Sequence, residues 1–219
     1  MDQNPQLLEY YSRRAGEYER IYEKPERKSD LVRVREYLRE RLGGRQVLEV
    51  ACGTGYWTAA IADAAKSIVA TDASEEVLAI ARAKGLDATR VTFRRGDAWK
   101  AGAIAGEFDA GFAAFWWSHV PREQLAGFLR GFHGALKPGA RVAMVDNRFV
   151  PGSSTPIAQT DAHGNTYQTR RLKDGSTHEV LKNFPTRSEL AALAENDGRE
   201  IEVREWEYFW CLSYDLKKE

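Results

Sequence analysis

Leu31, Val34, Leu38 and Leu42 recur at helical spacing, and Gly43-Gly44 closes that run. The apolar stretch Gln46–Val50 then predicts a buried strand. From there the pattern alternates. A helix is expected from about Trp57 through the alanine-rich TAAIADAAK, and SIVAT reads as the next strand. Ser74 can cap a helix whose first turn carries Glu75 and Glu76, with Gly85 as its terminator. RVTFR and FDAGFAAF predict a third and a fourth strand. Pro121 suits the first turn of a further helix, lined on one face by Leu125, Phe128, Leu129, Phe132 and Leu136. Lys137-Pro138-Gly139 breaks it, and ARVAMVD reads as a fifth strand. Strands alternating with helices at this spacing imply right-handed crossovers and a mostly parallel sheet covered on both faces, an α/β architecture.

The last third has a different rhythm. TYQTRRLKDGSTHEVLKN places two extended runs around Asp174-Gly175, a hairpin signal. Thr186 and Glu189 form a capping box before ELAALAEN, and IEVREW and EYFWCLSYDLK read as an antiparallel pair at a sheet edge. The segment Leu7–Glu23, rich in tyrosine, reads as a cap or lid. The expected organisation is one domain over 1–219: an N-terminal cap/lid helix (1–25), a core (27–147), a hairpin insertion (148–184) and a C-terminal helix with a strand pair (185–219).

Charge and composition narrow the function classes. Lys+Arg and Asp+Glu both number 32, and the basic pairs are scattered, so no whole-chain footprint for nucleic acid or an anionic membrane is expected. Two cysteines, Cys52 and Cys211, lie far apart, which argues against a disulfide framework or a structural zinc site. With no apolar run near spanning length and no signal-peptide pattern, a cytoplasmic location is the default expectation. No metal site is expected, because no pair of ligating residues at helical spacing lies beside another such pair.

The stretch VLEVACGTGYWT, Val47–Thr58, carries the candidate chemistry. A strand ending in a glycine turn that opens a helix lets backbone approach a nucleotide. Glu49 sits inside that strand. Beside a pyrophosphate it would repel; beside a cationic ligand it would attract. E-V-A-C-G-T-G resembles the first motif, (D/E)-x-G-x-G-x-G, of class I S-adenosylmethionine-dependent methyltransferases, with Ala51 in place of the first glycine. Within that family the similarity is to the small stand-alone enzymes of the ubiquinone/menaquinone-biosynthesis-like group.

The resemblance implies a Rossmann-like, seven-stranded, mostly parallel sheet with the last strand antiparallel and a hairpin inserted after strand 5. It implies S-adenosylmethionine as cofactor, held by Glu49, Ala51, Gly53 and Gly55. It gives Asp72, with Ala73, the ribose hydroxyls, and Asp97, with the Ala98 N–H, the adenine. Phe115 and Trp116 fall against the methionine portion, and Tyr11 and Tyr18 on the N-terminal helix fold over the cofactor. Taken singly, Asp72 could equally cap a helix and Asp97 could be a plain loop residue.

Acceptors in such sheets bind outside the carboxyl ends of the strands. That brings in Trp117, Asn147, Arg148, Tyr167 and Arg170 as candidate substrate residues. His119, after the fourth strand, is a candidate general base; its alternative is an inert helix-entry residue before Pro121. Of Trp116 and Trp117, adjacent in sequence, one is expected in the core and the other on the pocket. The expected reaction is methyl transfer to N or O of a small metabolite by a monomer or homodimer, without nucleic acid or membrane. A dinucleotide-dependent oxidoreductase or epimerase with an atypical turn, and a non-catalytic cofactor-binding module, are the alternatives.

Overall fold

A computed structural model describes the backbone of residues 5–217 and the side chains from residue 9 onward. The first four residues of the expected cap and the last two of the C-terminal segment lie outside the described residues. The core elements follow the apolar pattern: α2 (Lys28–Leu42), β1 (Gln46–Val50), α3 (Tyr56–Ile61), β2 (Ser67–Asp72), α4 (Glu75–Ala83), β3 (Val91–Arg95), β4 (Phe108–Ala114), α5 (Leu125–His133) and β5 (Leu136–Asn147). They are preceded by α1 (Pro5–Arg14), which runs into a 3-10 stretch, Ala15–Tyr22. After them come β6 (Gln159–Thr160), β7 (Thr166–Arg171), β8 (Thr177–Leu181), α6 (Arg187–Glu195), β9 (Gly198–Glu205) and β10 (Phe209–Leu216).

The main sheet has seven strands in the order β3-β2-β1-β4-β5-β10-β9. Strands β1 to β5 pair parallel, and β10 is inserted antiparallel between β5 and β9. This is the expected Rossmann-like sheet with an antiparallel closing pair. Alternate residues of each strand serve opposite faces. Val47, Phe112 and Val145 join the layer built on Val34, Leu38 and Trp57, whereas Leu48, Ala113 and Met144 join the layer of Phe128, Phe132 and Leu190. Glu49 shares the face of Val47, which turns it toward α3.

Several boundaries differ from the periodicity. Helix α3 stops at Ile61, and Ala62–Lys66 turn back so that the Arg45 carbonyl can accept from the Lys66 and Ser67 N–H groups. Pro121 precedes a 3-10 turn, Arg122–Gln124, and α5 proper starts at Leu125. Leu136 belongs to β5, where it pairs with Phe108, so the strand already contains Lys137-Pro138-Gly139; the register shifts just beyond. A third short strand, β6, joins the hairpin of β7 and β8. Tyr10 of α1 packs on Leu172 and Val180, joining the N-terminal segment to this small sheet over the carboxyl ends of the main strands.

Candidate active site

The turn after β1 owes its shape to three left-handed residues, Ala51 (φ 52°), Gly53 (φ 56°) and Gly55 (φ 73°). The two glycines do different things. A Cβ on Gly55 would come within 3.0 Å of Ala81 and 3.2 Å of Phe93, so this glycine lets the turn pack on α4 and β3. A Cβ on Gly53 would meet only the edge of Tyr18, at 3.9 Å, so Gly53 faces a cavity. Asp72, at the end of β2, accepts from the Gly53 N–H (2.9 Å) and the Ser74 N–H (2.9 Å). Burial pushes its carboxyl above the usual range, while these N–H groups hold it down.

Two cavities adjoin. One is a slot of about 70 Å³, walled in part by Ala51, Gly53, Asp72, Ala73, Ala98 and Trp116. The other is a cleft of about 490 Å³ between the N-terminal segment, the small sheet and the loop after β5, reaching Asn147 and Arg170. Tyr11, Tyr18, Phe115 and His119 line both. Phe115 holds φ at 58°, a costly conformation for an aromatic residue, and its N–H is fixed on the Val145 carbonyl at 2.7 Å.

His119 is buried at this junction. Its Nδ1 lies 2.7 Å from the Leu181 carbonyl, which can only accept, so Nδ1 carries the proton. Nε2 is therefore the free lone pair, and it accepts from the Tyr11 hydroxyl at 2.6 Å. Burial, then the Lys182 and Arg170 charges, hold the imidazole well below its ordinary value, so it is neutral at neutral pH. Burial pushes Tyr11 up to about 12.

Most of the other residues singled out in the sequence lie away from the two walls. Glu49 is fully buried; its Oε2 accepts from Thr58 Oγ1 at 2.7 Å and its Oε1 has no partner. Desolvation raises its carboxyl to about 8. Asp97 caps the 3-10 stretch Ala98–Ala103 through the Trp99 N–H (2.9 Å), neither a plain loop residue nor a residue on either wall. Of the tryptophan pair, Trp116 lines the slot with its indole N–H unpartnered, whereas Trp117 packs on Trp210 at 5.8 Å in the core. Trp117 is thus removed from the acceptor side by the hydrophobic layer. Arg148 turns to the sheet edge, donating to the Trp206 carbonyl (2.6 Å) and pairing with Glu205. Tyr167 donates to Asp161 at 3.1 Å within the small sheet, away from the cleft.

One group was not singled out in the sequence. Lys182, just after β8 and 4% exposed, donates to Asp146 Oδ1 (2.8 Å) and Ser118 Oγ (2.6 Å). Asp146 also accepts from the Ser118 and Asn147 N–H groups. Burial lowers the Lys182 ammonium to about 8. Together with Asn183 N–H to the Ser118 carbonyl, this network clamps the small sheet onto the loop after β4. A signal existed: ARVAMVD ends in an acid inside a buried run, and such an acid needs a cation.

The slot suits S-adenosylmethionine chemically: an acid beside a glycine turn, an unpartnered indole N–H and an unpartnered carboxylate oxygen nearby. Among the described residues no group of three or more His, Cys, Asp or Glu could hold a metal, and no helix is long and apolar enough to cross a membrane.

Comparison with known proteins bears on the same residues. A family described as "Methyltransferase domain" matches residues 47–139. The ubiquinone biosynthesis O-methyltransferase of Xanthomonas axonopodis pv. citri is 30% identical over 171 residues, 76% of this chain and 68% of that protein. Its namesake in Pseudomonas aeruginosa (strain LESB58) is 31% identical over 166 residues, 74% and 68% of the two chains. Among solved structures, the DhpI-SAH complex superposes with a TM-score of 0.74 at 29% identity, covering 98% of this chain and 97% of that one. The dinucleotide alternative has no support in these similarities, and the chain belongs to the class I S-adenosylmethionine-dependent methyltransferases.

Proposed function

We propose that the enzyme methylates an oxygen of a small-molecule acceptor, with cofactor in the slot, acceptor in the cleft, and transfer at the junction of Tyr11, Tyr18, Phe115 and His119. The observation that carries this reading is the meeting of the two cavities at a neutral histidine. The names of the ubiquinone-pathway relatives favour oxygen over nitrogen.

In this reading Asp72 accepts from the ribose hydroxyls, while Gly53 and Ala73 leave room beside it. Asp97 positions the Ala98 N–H toward the adenine by capping the 3-10 stretch. Trp116 offers its N–H to the methionine portion, and Glu49, behind the turn, supplies negative charge toward the ammonium by giving up its proton as cofactor binds. When bound, S-adenosylmethionine supplies a methyl carbon on a sulfonium, so that the acceptor O–C bond forms as the S–C bond breaks and S-adenosylhomocysteine leaves. The protein aligns the acceptor oxygen, excludes water and takes up its proton. His119 Nε2 is the receiving atom, either directly once Tyr11 swings away or through the Tyr11 hydroxyl as relay.

A slot of about 70 Å³ is well below the ~300–1,000 Å³ of small-molecule sites. The N-terminal segment, whose Tyr18 ring edge lies over Gly53, therefore acts as a lid that moves to admit cofactor. The test is thermal and calorimetric titration with S-adenosylhomocysteine and NAD, then a screen of metabolite pools with labelled methyl donor. Stabilisation by S-adenosylhomocysteine alone, and label in an O-methyl product, are expected. Label in protein or RNA only would sink the small-molecule reading.

A further inference from the structure

The wall of the larger cleft is unbalanced in charge. Among the described residues it carries seven cationic side chains and one acidic one, Glu17, in a chain whose charges otherwise cancel. Elsewhere arginines find carboxylates, as Arg141 does with Asp215 and Arg122 with Glu189. On this wall only Lys182 has one, Asp146, within the described ion pairs. Four of the remaining cations are held by neutral groups. Arg27, 7% exposed, donates to Ser153 Oγ (2.9 Å), the Ser153 carbonyl (3.1 Å) and Asn147 Oδ1 (3.3 Å), and lies over the Tyr208 ring. Lys24 donates to the same Ser153 carbonyl at 2.6 Å. Arg170 is fixed by Gln168 Oε1 at 2.7 Å, and Arg14 lies over the rings of Tyr10 and Tyr18.

A solvated face would account for Arg20 and Arg171, which are exposed. It does not account for Arg27, whose buried guanidinium makes no direct ion pair and reaches its nearest carboxylate, the exposed Glu26, only through the Ser153 hydroxyl, which donates to Glu26 Oε1 at 3.0 Å. The cations also form two groups. Arg14, Arg170 and Lys182 act on His119, at the junction. Arg27 and Lys24 converge on Ser153, away from it. Two such groups on the wall of one cleft suit more than one negative charge. Pre-oriented guanidinium forks suit planar or tetrahedral oxyanions, which they bind through paired N–H donors.

We propose that the methyl acceptor is a multiply charged oxyanion, bearing a phosphoryl group or several carboxylates, clasped between the Arg27–Lys24 pair and the Arg14–Arg170–Lys182 group. This rests on the reading of the cleft as the acceptor site. Lys182 is largely neutralised by Asp146, so the forks of Arg27 and Arg170 carry most of the recognition.

The experiment is calorimetry on the full chain saturated with S-adenosylhomocysteine, titrated with glycerol phosphate, citrate and uncharged glycerol. At least one of the two anions is expected to bind and glycerol is not; which anion binds distinguishes phosphoryl from polycarboxylate chemistry. Arg170→Gln and Arg27→Met should each weaken anion binding by about tenfold, the loss of one charge-assisted contact, with S-adenosylhomocysteine affinity within about twofold. Arg14→Gln, on a half-exposed residue, repeats the test should Arg27→Met unfold. No binding by either anion, or binding unchanged in all three variants, overturns the proposal. Failure of S-adenosylhomocysteine itself to bind would instead overturn the assignment of the slot.

Discussion

The slot and the cleft share four residues and are otherwise built in opposite ways. The slot is made of strand ends and the turns that follow them: Ala51 and Gly53 after β1, Asp72 and Ala73 after β2, Ala98 after β3, Trp116 after β4. Each comes from a short local pattern on one rigid sheet. The cleft gathers Arg14 and Arg27 from the N-terminal region, Asn147 and Ser153 from the end of β5 onward, and Arg170 and Lys182 from the small sheet. Its shape depends on contacts between segments more than a hundred residues apart, such as Arg27 with Ser153 and Tyr11 with His119. A rigid, local site suits a cofactor common to many enzymes; a composite one suits an acceptor peculiar to this enzyme.

If that contrast holds, damage to the cleft and to the slot should separate. The largest effect is expected from Lys182→Met, which leaves Asp146 buried and unpaired at a cost of about 3–5 kcal/mol in chemical denaturation. Adding Asp146→Leu should recover much of the loss. S-adenosylhomocysteine affinity below the transition should change little, and a collapse of that affinity would mean the two cavities are one unit.

His119→Ala sits where the cavities meet. Turnover with an identified acceptor should fall about 10²-fold or more, the usual scale for a lost general base, with cofactor affinity nearly intact. Unchanged turnover would leave His119 as a clamp for Leu181 and nothing more. Asp72→Ala probes the slot alone and should weaken S-adenosylhomocysteine by about tenfold or more, because the carboxylate both anchors the turn and lines the slot. Equal affinities by calorimetry would remove Asp72 from the site.

The smallest effect concerns Glu49, which lies near Asp72 and Cys52. Its carboxyl is raised to about 8 in the folded chain from an ordinary value near 4.3. Between those limits the folded state holds the extra proton, so stability is greatest on the acid side and declines as pH rises toward 8. The slope from this group is at most about 1.4 kcal/mol per pH unit, and Glu49→Gln should flatten it. If the cofactor ammonium is felt at Glu49, binding near pH 7 also releases protons, read as a dependence of binding enthalpy on buffer ionisation.

The contrast also explains what could be read in advance. Glu49, Asp72 and Asp97 stand out because they are acids inside, at the end of, or just after strand-like runs. The capping box at Thr186 and the hairpin at Asp174-Gly175 are similarly local, and both are present. Trp117, Arg148 and Tyr167 read in the sequence as candidate substrate residues, but the side such a residue faces is set by what packs on it. Trp210, Trp206 and Asp161 turned them away from the cleft. Leu136 matched the helical period of α5 and yet pairs as a strand with Phe108, an instance of sheet registration overriding periodicity.

By itself the sequence determined the order of strands and helices, the glycine turn and the acid buried in front of it, because each rests on hydrophobic period or on backbone conformations open to few residues. Tertiary structure alone decided that Tyr11 donates to His119, that Lys182 neutralises Asp146, and that a chain of zero net charge presents a cationic cleft. Those outcomes depend on which distant segments meet, and no local pattern of residues encodes that meeting.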